Sequence, residues 1–220
     1  MRYVEYGEKE TEYLKQKDPR MADLIERLGH IERPMDEDLY SSVLHHIIGQ
    51  QISSAAQKTV WARLQQKLGT VTPESVHALS REDLQSCGMT FKKAEYILDF
   101  TDRISRGEFD LAAVETMSDA EAIAALSALK GIGVWTAEMI LLFALGRKDI
   151  FAYDDLAVQR GLRMVYHHRK IDRKLFEKYR RRFSPYGSIA SLYLWKAAAG
   201  ALPDLKDHAP KKKPAGGKKQ

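Results

Sequence analysis

From Leu39 the apolar residues fall at Leu39/Tyr40, Val43/Leu44, Ile47/Ile48, Ile52, Ala55/Ala56, Val60, Leu64 and Leu68. A step of about four keeps one face of an α-helix apolar. The stripe breaks at Gly49-Gln50-Gln51, which predicts two helices joined by a tight turn. Ser54 and Gln57 have capping-box spacing for the second helix. Thr72-Pro73 predicts an N-cap followed by proline at the first helical position. Ser80 is placed to cap a short helix, and Phe91 to Ile104 reads as a longer one that stops near Gly107. Ser118-Asp119-Ala120-Glu121 is a capping box for a helix running to Leu129. After Lys130-Gly131-Ile132-Gly133, a further helix is expected from Trp135 to Leu145. Asp154 is the expected cap of the next helix, which carries Val158, Leu162 and Val165; segments 175–183 and 189–199 complete the set. Strand alternation is scarce and no internal repeat is visible. The pattern predicts an all-α protein of about ten helices.

Charge changes this picture in one respect. The formal net charge is +5, yet residues 206–220 hold six lysines against one aspartate, so residues 1–205 are net zero. That neutral body is uneven: residues 156–183 hold ten Lys/Arg against two acids, and residues 1–41 hold seven bases against eleven acids. The basic stretch reads either as a phosphate-facing surface or as a solvated helix face. Residues 206–220, rich in Lys, Gly and Pro, are expected to be a disordered basic tail that adds salt-sensitive nucleic-acid affinity or solubility, with 1–205 as the working domain. The longest apolar run, Met139 to Leu145, is far short of the roughly 20 residues a membrane span needs. The charged N-terminus lacks the apolar core of a signal peptide. An intracellular protein without membrane association is therefore expected, cytoplasmic and nucleoid-associated in a bacterium or nuclear in a eukaryote. Cys87 is the only cysteine, which excludes an intrachain disulfide and a four-cysteine iron–sulfur cluster. His45-His46 and His167-His168 are adjacent pairs without the spacing of helix-face metal ligands.

The segment Leu129-Lys130-Gly131-Ile132-Gly133 carries the first chemical signal. Glycines between two helices let the backbone turn sharply and expose its N–H groups. The next helix N-terminus adds a positive dipole, so Gly131, Ile132 and Gly133 can hold a phosphate without a side-chain charge. A bare G-x-G also occurs in ordinary αα-hairpin turns. Here it stands among other motifs: Ile47-Ile48-Gly49-Gln50-Gln51-Ile52-Ser53, Lys93-Ala94-Glu95-Tyr96-Ile97, the Asp154-Asp155 pair after Phe151-Ala152-Tyr153, and Ser188 to Lys196. Together, from about residue 18 to 200, they resemble the helix-hairpin-helix DNA glycosylases, in particular the 3-methyladenine DNA glycosylase II branch.

The resemblance implies two helical lobes with an active site between them, and base excision from double-stranded DNA containing alkylated bases. It implies that Asp155 is catalytic, that Trp135, Met139 and Trp195 line the base pocket, and that Gln51 is the wedge that fills the gap left by the flipped base. It implies that the carbonyls of Ser127, Leu129 and Ile132 can hold a structural Na+ or K+, with no other cofactor required. Relatives that also nick the strand carry a Schiff-base lysine where this chain has Trp135, so base release without lyase activity is expected. Relatives often have tyrosine at Met139 and arginine at Gly187, which puts the substrate range and one contact in doubt.

The chemistry of the residues agrees. Cleaving an N-glycosidic bond develops positive charge on the sugar, which a nearby carboxylate stabilises while it orients water. Two acids flanking the bond are the usual glycosidase arrangement. Adjacent aspartates do not flank anything, but a cationic alkylated purine leaves without strong protonation, so one carboxylate suffices. Indoles attract such a cation by roughly 0.5–2 kcal/mol each. The same aspartates can equally cap a helix, and Trp or Met at helical spacing can be plain core. A glycosylase for deaminated or mismatched bases remains open, with His45 or His46 as a general acid, as does a non-catalytic hairpin DNA-binding protein. Nothing points beyond a monomer.

Overall fold

The computed structural model describes residues 2–210. Among them are thirteen helices and no strand; a single isolated antiparallel bridge joins Tyr3 and Pro34. No helix is long and apolar enough to cross a membrane. The all-α expectation holds, with more helices than the ten expected. The chain begins with α1 (Glu8–Lys17) and α2 (Pro19–Leu28), which the apolar pattern had not singled out. The signal was present in Asp18-Pro19: Asp18 caps α2 by accepting from the N–H groups of Arg20 and Met21, with proline at the first helical turn.

The chain divides into two compact units. The first contains residues 1–5 and 32–150, with α3 (Leu39–Gly49), α4 (Ser54–Leu68), α5 (Pro73–His77), α6 (Arg81–Ser86), α7 (Phe91–Ser105), α8 (Ala113–Thr116), α9 (Asp119–Ser127) and α10 (Val134–Leu145). Its core helix is α10, whose sequence is apolar all round and which buries eight of its twelve residues. It packs on α9 and α3. Val43, Leu44, Ile47 and Ile48 of α3 are fully buried, each contributing about 1.5–3 kcal/mol of transfer free energy. The expected break after α3 is present, but its cap differs. Ser53, not Ser54, caps α4 by accepting from Ala56 N–H, and the Gln57 side chain instead donates to the His45 carbonyl. The capping boxes at Thr72, Ser80 and Ser118 form.

The second unit contains residues 6–31 and those from 151 on, with α1, α2, α11 (Leu156–Tyr166), α12 (Arg173–Phe183) and α13 (Gly187–Ala198). Here α13 is the core helix, with ten of twelve residues buried. Gly161 of α11 is where α13 passes closest. A Cβ there would overlap the Leu194 carbonyl, so only glycine permits the crossing. Residues 206–208 are tied back through Asp207, which binds Arg163 at 2.7 Å. Residues 211–220, most of the expected disordered tail, lie outside the described residues.

Candidate active site

In the second unit the chemistry gathers at the start of α11. Asp155 is 5% exposed. Its Oδ1 accepts from the N–H groups of Ala157 (2.8 Å) and Val158 (2.9 Å), and its Oδ2 accepts from the Trp195 indole Nε1–H at 3.2 Å. The expectation that Asp154 caps this helix is overturned. α11 starts at Leu156, Asp155 has the extended backbone of an N-cap, and Asp154 is exposed. One side chain therefore serves both as helix cap and as the carboxylate of interest. Two amide N–H donors on Oδ1 and the indole N–H on Oδ2 orient it. Gln159 braces the approach loop by donating to the Tyr153 carbonyl at 2.6 Å. The structure thus unites two of the expected site residues, Asp155 and Trp195.

The first unit holds the hairpin. Gly131 lies in the left-handed region (φ +81°), and a Cβ there would overlap the Tyr96 ring, so the turn demands glycine twice over. Ile132 is buried between α9 and α10, as a plug should be. Gly133 is the N-cap of α10, carries no side-chain cap and faces open space. The first amides of α10 are therefore reachable by an anion. Trp135, at the second position of α10, is 41% exposed, while Met139 one turn on is buried. Lys130, on the other side of the turn, is ion-paired with Asp99. Leu129 is buried and its carbonyl accepts from Ile132 N–H at 3.2 Å. Ser127 ends α9.

Gln51 stands exposed in the α3–α4 turn with φ +57°, a conformation that costs a non-glycine residue free energy. Two neighbours went unassigned in the sequence although both lie in recognised motifs. The Gln50 side chain donates to the Gly131 carbonyl at 2.7 Å, and Lys93 Nζ donates to the Ile48 and Gln50 carbonyls at 2.8 and 2.6 Å.

His45 and His46 sit beside Asp36, at 3.6 and 3.7 Å. Burial pushes the His46 pKa down to about 4, so near neutral pH it has no imidazolium proton to donate. The basic stretch is partly neutralised internally: Arg163 binds Asp207, Arg173 and Arg180 bind Glu177, and Arg182 binds Asp18. Arg169, Lys170, Lys174, Lys178 and Arg181 are exposed. Among the described residues, no cluster of three or more His, Cys, Asp or Glu is placed to hold a metal ion.

A Bacillus subtilis (strain 168) relative is 30% identical over 175 residues, covering 74% of this chain and 60% of that protein, so the chain spans under two thirds of its length. A solved DNA-3-methyladenine glycosidase from Bacillus halodurans superposes with a TM-score of 0.82 at 32% identity, covering 93% of this chain and 96% of that one. The Schizosaccharomyces pombe 3-methyladenine DNA glycosylase in complex with abasic DNA gives 0.78 at 28% identity, covering 90% and 99%. Residues 44–185, which contain both the glycine hairpin and Asp155, match the HhH-GPD superfamily base excision DNA repair protein family. The chain belongs to the HhH-GPD superfamily.

Proposed function

We propose that this chain is a DNA glycosylase that flips an alkylated purine of the 3-methyladenine type out of duplex DNA and hydrolyses its N-glycosidic bond. The observation that carries this reading is the buried Asp155 carboxylate, aimed by two helix amides and the Trp195 indole. A carboxylate held by preorganised donors does not have to reorganise as the sugar develops positive charge, which is where electrostatic catalysis gains most. On this reading the carboxylate also orients the attacking water. A cationic purine needs no strong acid to leave.

Each other residue has a role on this reading. Trp135 offers an exposed indole face to the cationic base, and Met139 backs it in the same helix. Trp195 both holds Asp155 and presents a second indole. Gly131 and Gly133, with the first amides of α10, are placed for one phosphate, while the Ile132 N–H is taken by the Leu129 carbonyl. Gln51 fills the gap left by the extruded base. Carbonyl oxygens of Ser127, Leu129 and Ile132 would hold a monovalent cation. The Ser127 and Leu129 carbonyls lie at or just beyond the negative end of α9 and that of Ile132 follows in the turn, and a carbonyl that accepts one N–H retains a lone pair. That ion would neutralise the turn's carbonyls and stiffen it against the phosphate.

Lyase chemistry needs an amine to attack the sugar. Trp135 occupies the position of that amine, and Lys130 is committed to Asp99. On this reading the base is released without strand cleavage, by a monomer.

The test is incubation with methylated duplex DNA and chromatography of released bases. Release of 3-methyladenine or 7-methylguanine, with strand breaks appearing only after alkali, is expected. DNA binding without release of any methylated base would refute the proposal.

A further inference from the structure

The turn that carries Gln51 and the glycine hairpin are far apart in sequence but share a support. Lys93, Tyr96 and Asp99 lie along one side of α7, three residues apart. Lys93 Nζ donates to the carbonyls of Ile48 and Gln50. These lie at the C-terminal end of α3, where helix carbonyls lack intrahelical partners and the dipole favours a cation. The Tyr96 ring lies against Gly131, and Asp99 pairs with Lys130. Gln50 closes the circuit by donating from its side chain to the Gly131 carbonyl at 2.7 Å. Gln50, Lys93, Tyr96 and Gly131 border an open recess of about 370 Å³ on whose rim Gln51 stands. A left-handed glutamine persists only where its surroundings over-determine it, and the ammonium bonded to the Gln50 carbonyl acts on the peptide that joins Gln50 to Gln51.

We infer that Lys93 is a positioning residue for base flipping: with Gln50 it fixes the Gln51 turn relative to the hairpin, so that phosphate grip and wedge keep one register. This rests on the reading of Gln51 as the wedge. Flipping costs a few kcal/mol in lost pairing and stacking. A wedge whose backbone must first be ordered adds its own conformational entropy to that cost. Removing the ammonium therefore slows flipping while leaving the bond-breaking carboxylate untouched.

The experiment uses the full chain and four variants: Lys93→Met, Lys93→Arg, Gln50→Ala and Gln51→Ala. Each is given 7-methylguanine paired in a duplex beside 2-aminopurine, and the same lesion opposite an abasic-site analogue, where no pair has to be broken. Single-turnover release, 2-aminopurine fluorescence and the thermal midpoint are read together. For Lys93→Met, release from the paired duplex is expected to slow about ten- to a hundred-fold, with a smaller fluorescence rise. Release from the unpaired lesion stays within about two-fold of wild type. Lys93→Arg, which can still donate to both carbonyls, restores most of the rate, and Gln51→Ala behaves like Lys93→Met. If Lys93→Met unfolds, Gln50→Ala must show the same loss confined to the paired lesion. Wild-type release by Lys93→Met from the paired duplex, or equal loss on both substrates, overturns the inference. Unchanged release by Gln51→Ala removes the wedge reading and this inference with it, while leaving the glycosylase proposal standing if the wild type releases the base.

Discussion

Asp155 is the N-cap of α11 and, on the proposed reading, the carboxylate of the reaction. Which of two adjacent aspartates starts α11 turns on a one-residue shift in the helix boundary, and apolar periodicity does not resolve one residue. The choice of Asp155 as the candidate carboxylate was legible because the pair follows the hairpin at the right place. Its bond to Trp195 was not, since the two stand 40 positions apart. Trp195→Phe keeps an aromatic surface but removes the indole donor. Oδ2 then loses its fixed neighbour, and the carboxylate can turn about the bond held by the two amides. Base release is expected to slow about ten-fold, in the range of one lost charge-assisted hydrogen bond, with the thermal midpoint nearly unchanged. Wild-type release by this variant would show that the indole does not orient the carboxylate. Gly161 teaches the complementary lesson: a glycine inside a helical pattern was visible, but only the passage of α13 against it explains why nothing larger stands there.

At the scale of elements, α3 shows what the pattern of apolar positions can and cannot deliver. Its boundaries and its buried face followed from the i, i+4 stripe. The polar chemistry on its flank did not, because Asp36 lies outside the helix and reaches His45 and His46 only in the fold. For Asp36, burial alone would push the carboxyl up, but hydrogen bonds from His45 and Ser42 and the nearby imidazoles outweigh it and hold the pKa below its ordinary value. His46 is driven the other way from a surface histidine: burial, only partly opposed by Asp36, lowers it to about 4. The unfolded chain, with a histidine near 6.5, then binds more protons than the folded one between pH 6.5 and about 4. Stability is complete above that window and is lost as pH falls through it, by about 1–3 kcal/mol from this group. Thermal midpoints of the wild type should therefore fall more steeply from pH 7 to pH 4 than those of His46→Gln. Parallel curves would show that His46 does not titrate as its burial dictates. The charged sequence of α1 leaves little apolar stripe, whereas α2 carries one at Met21, Leu24, Ile25 and Leu28, beside the helix start that Asp18-Pro19 marks.

For the whole molecule, the all-α class, the hairpin and the order of motifs were legible from residue patterns together with family resemblance, and residues 44–185 match the superfamily. What stayed hidden was the support beneath the functional turns. Lys93 and Gln50 stand within the recognised motifs, but hydrogen bonds to backbone carbonyls leave no mark on residue spacing. The first unit holds the hairpin and the Gln51 turn; the second holds a carboxylate bonded to an indole. The most direct measurement is the single-turnover rate of base release from methylated duplex DNA by Asp155→Asn. Asparagine caps helices as well as aspartate does and can still accept from Trp195, so folding and DNA affinity should survive. Without the negative charge, release is expected to fall at least about a hundred-fold. Release within a few-fold of wild type would contradict the assignment of Asp155 as the group that carries the reaction.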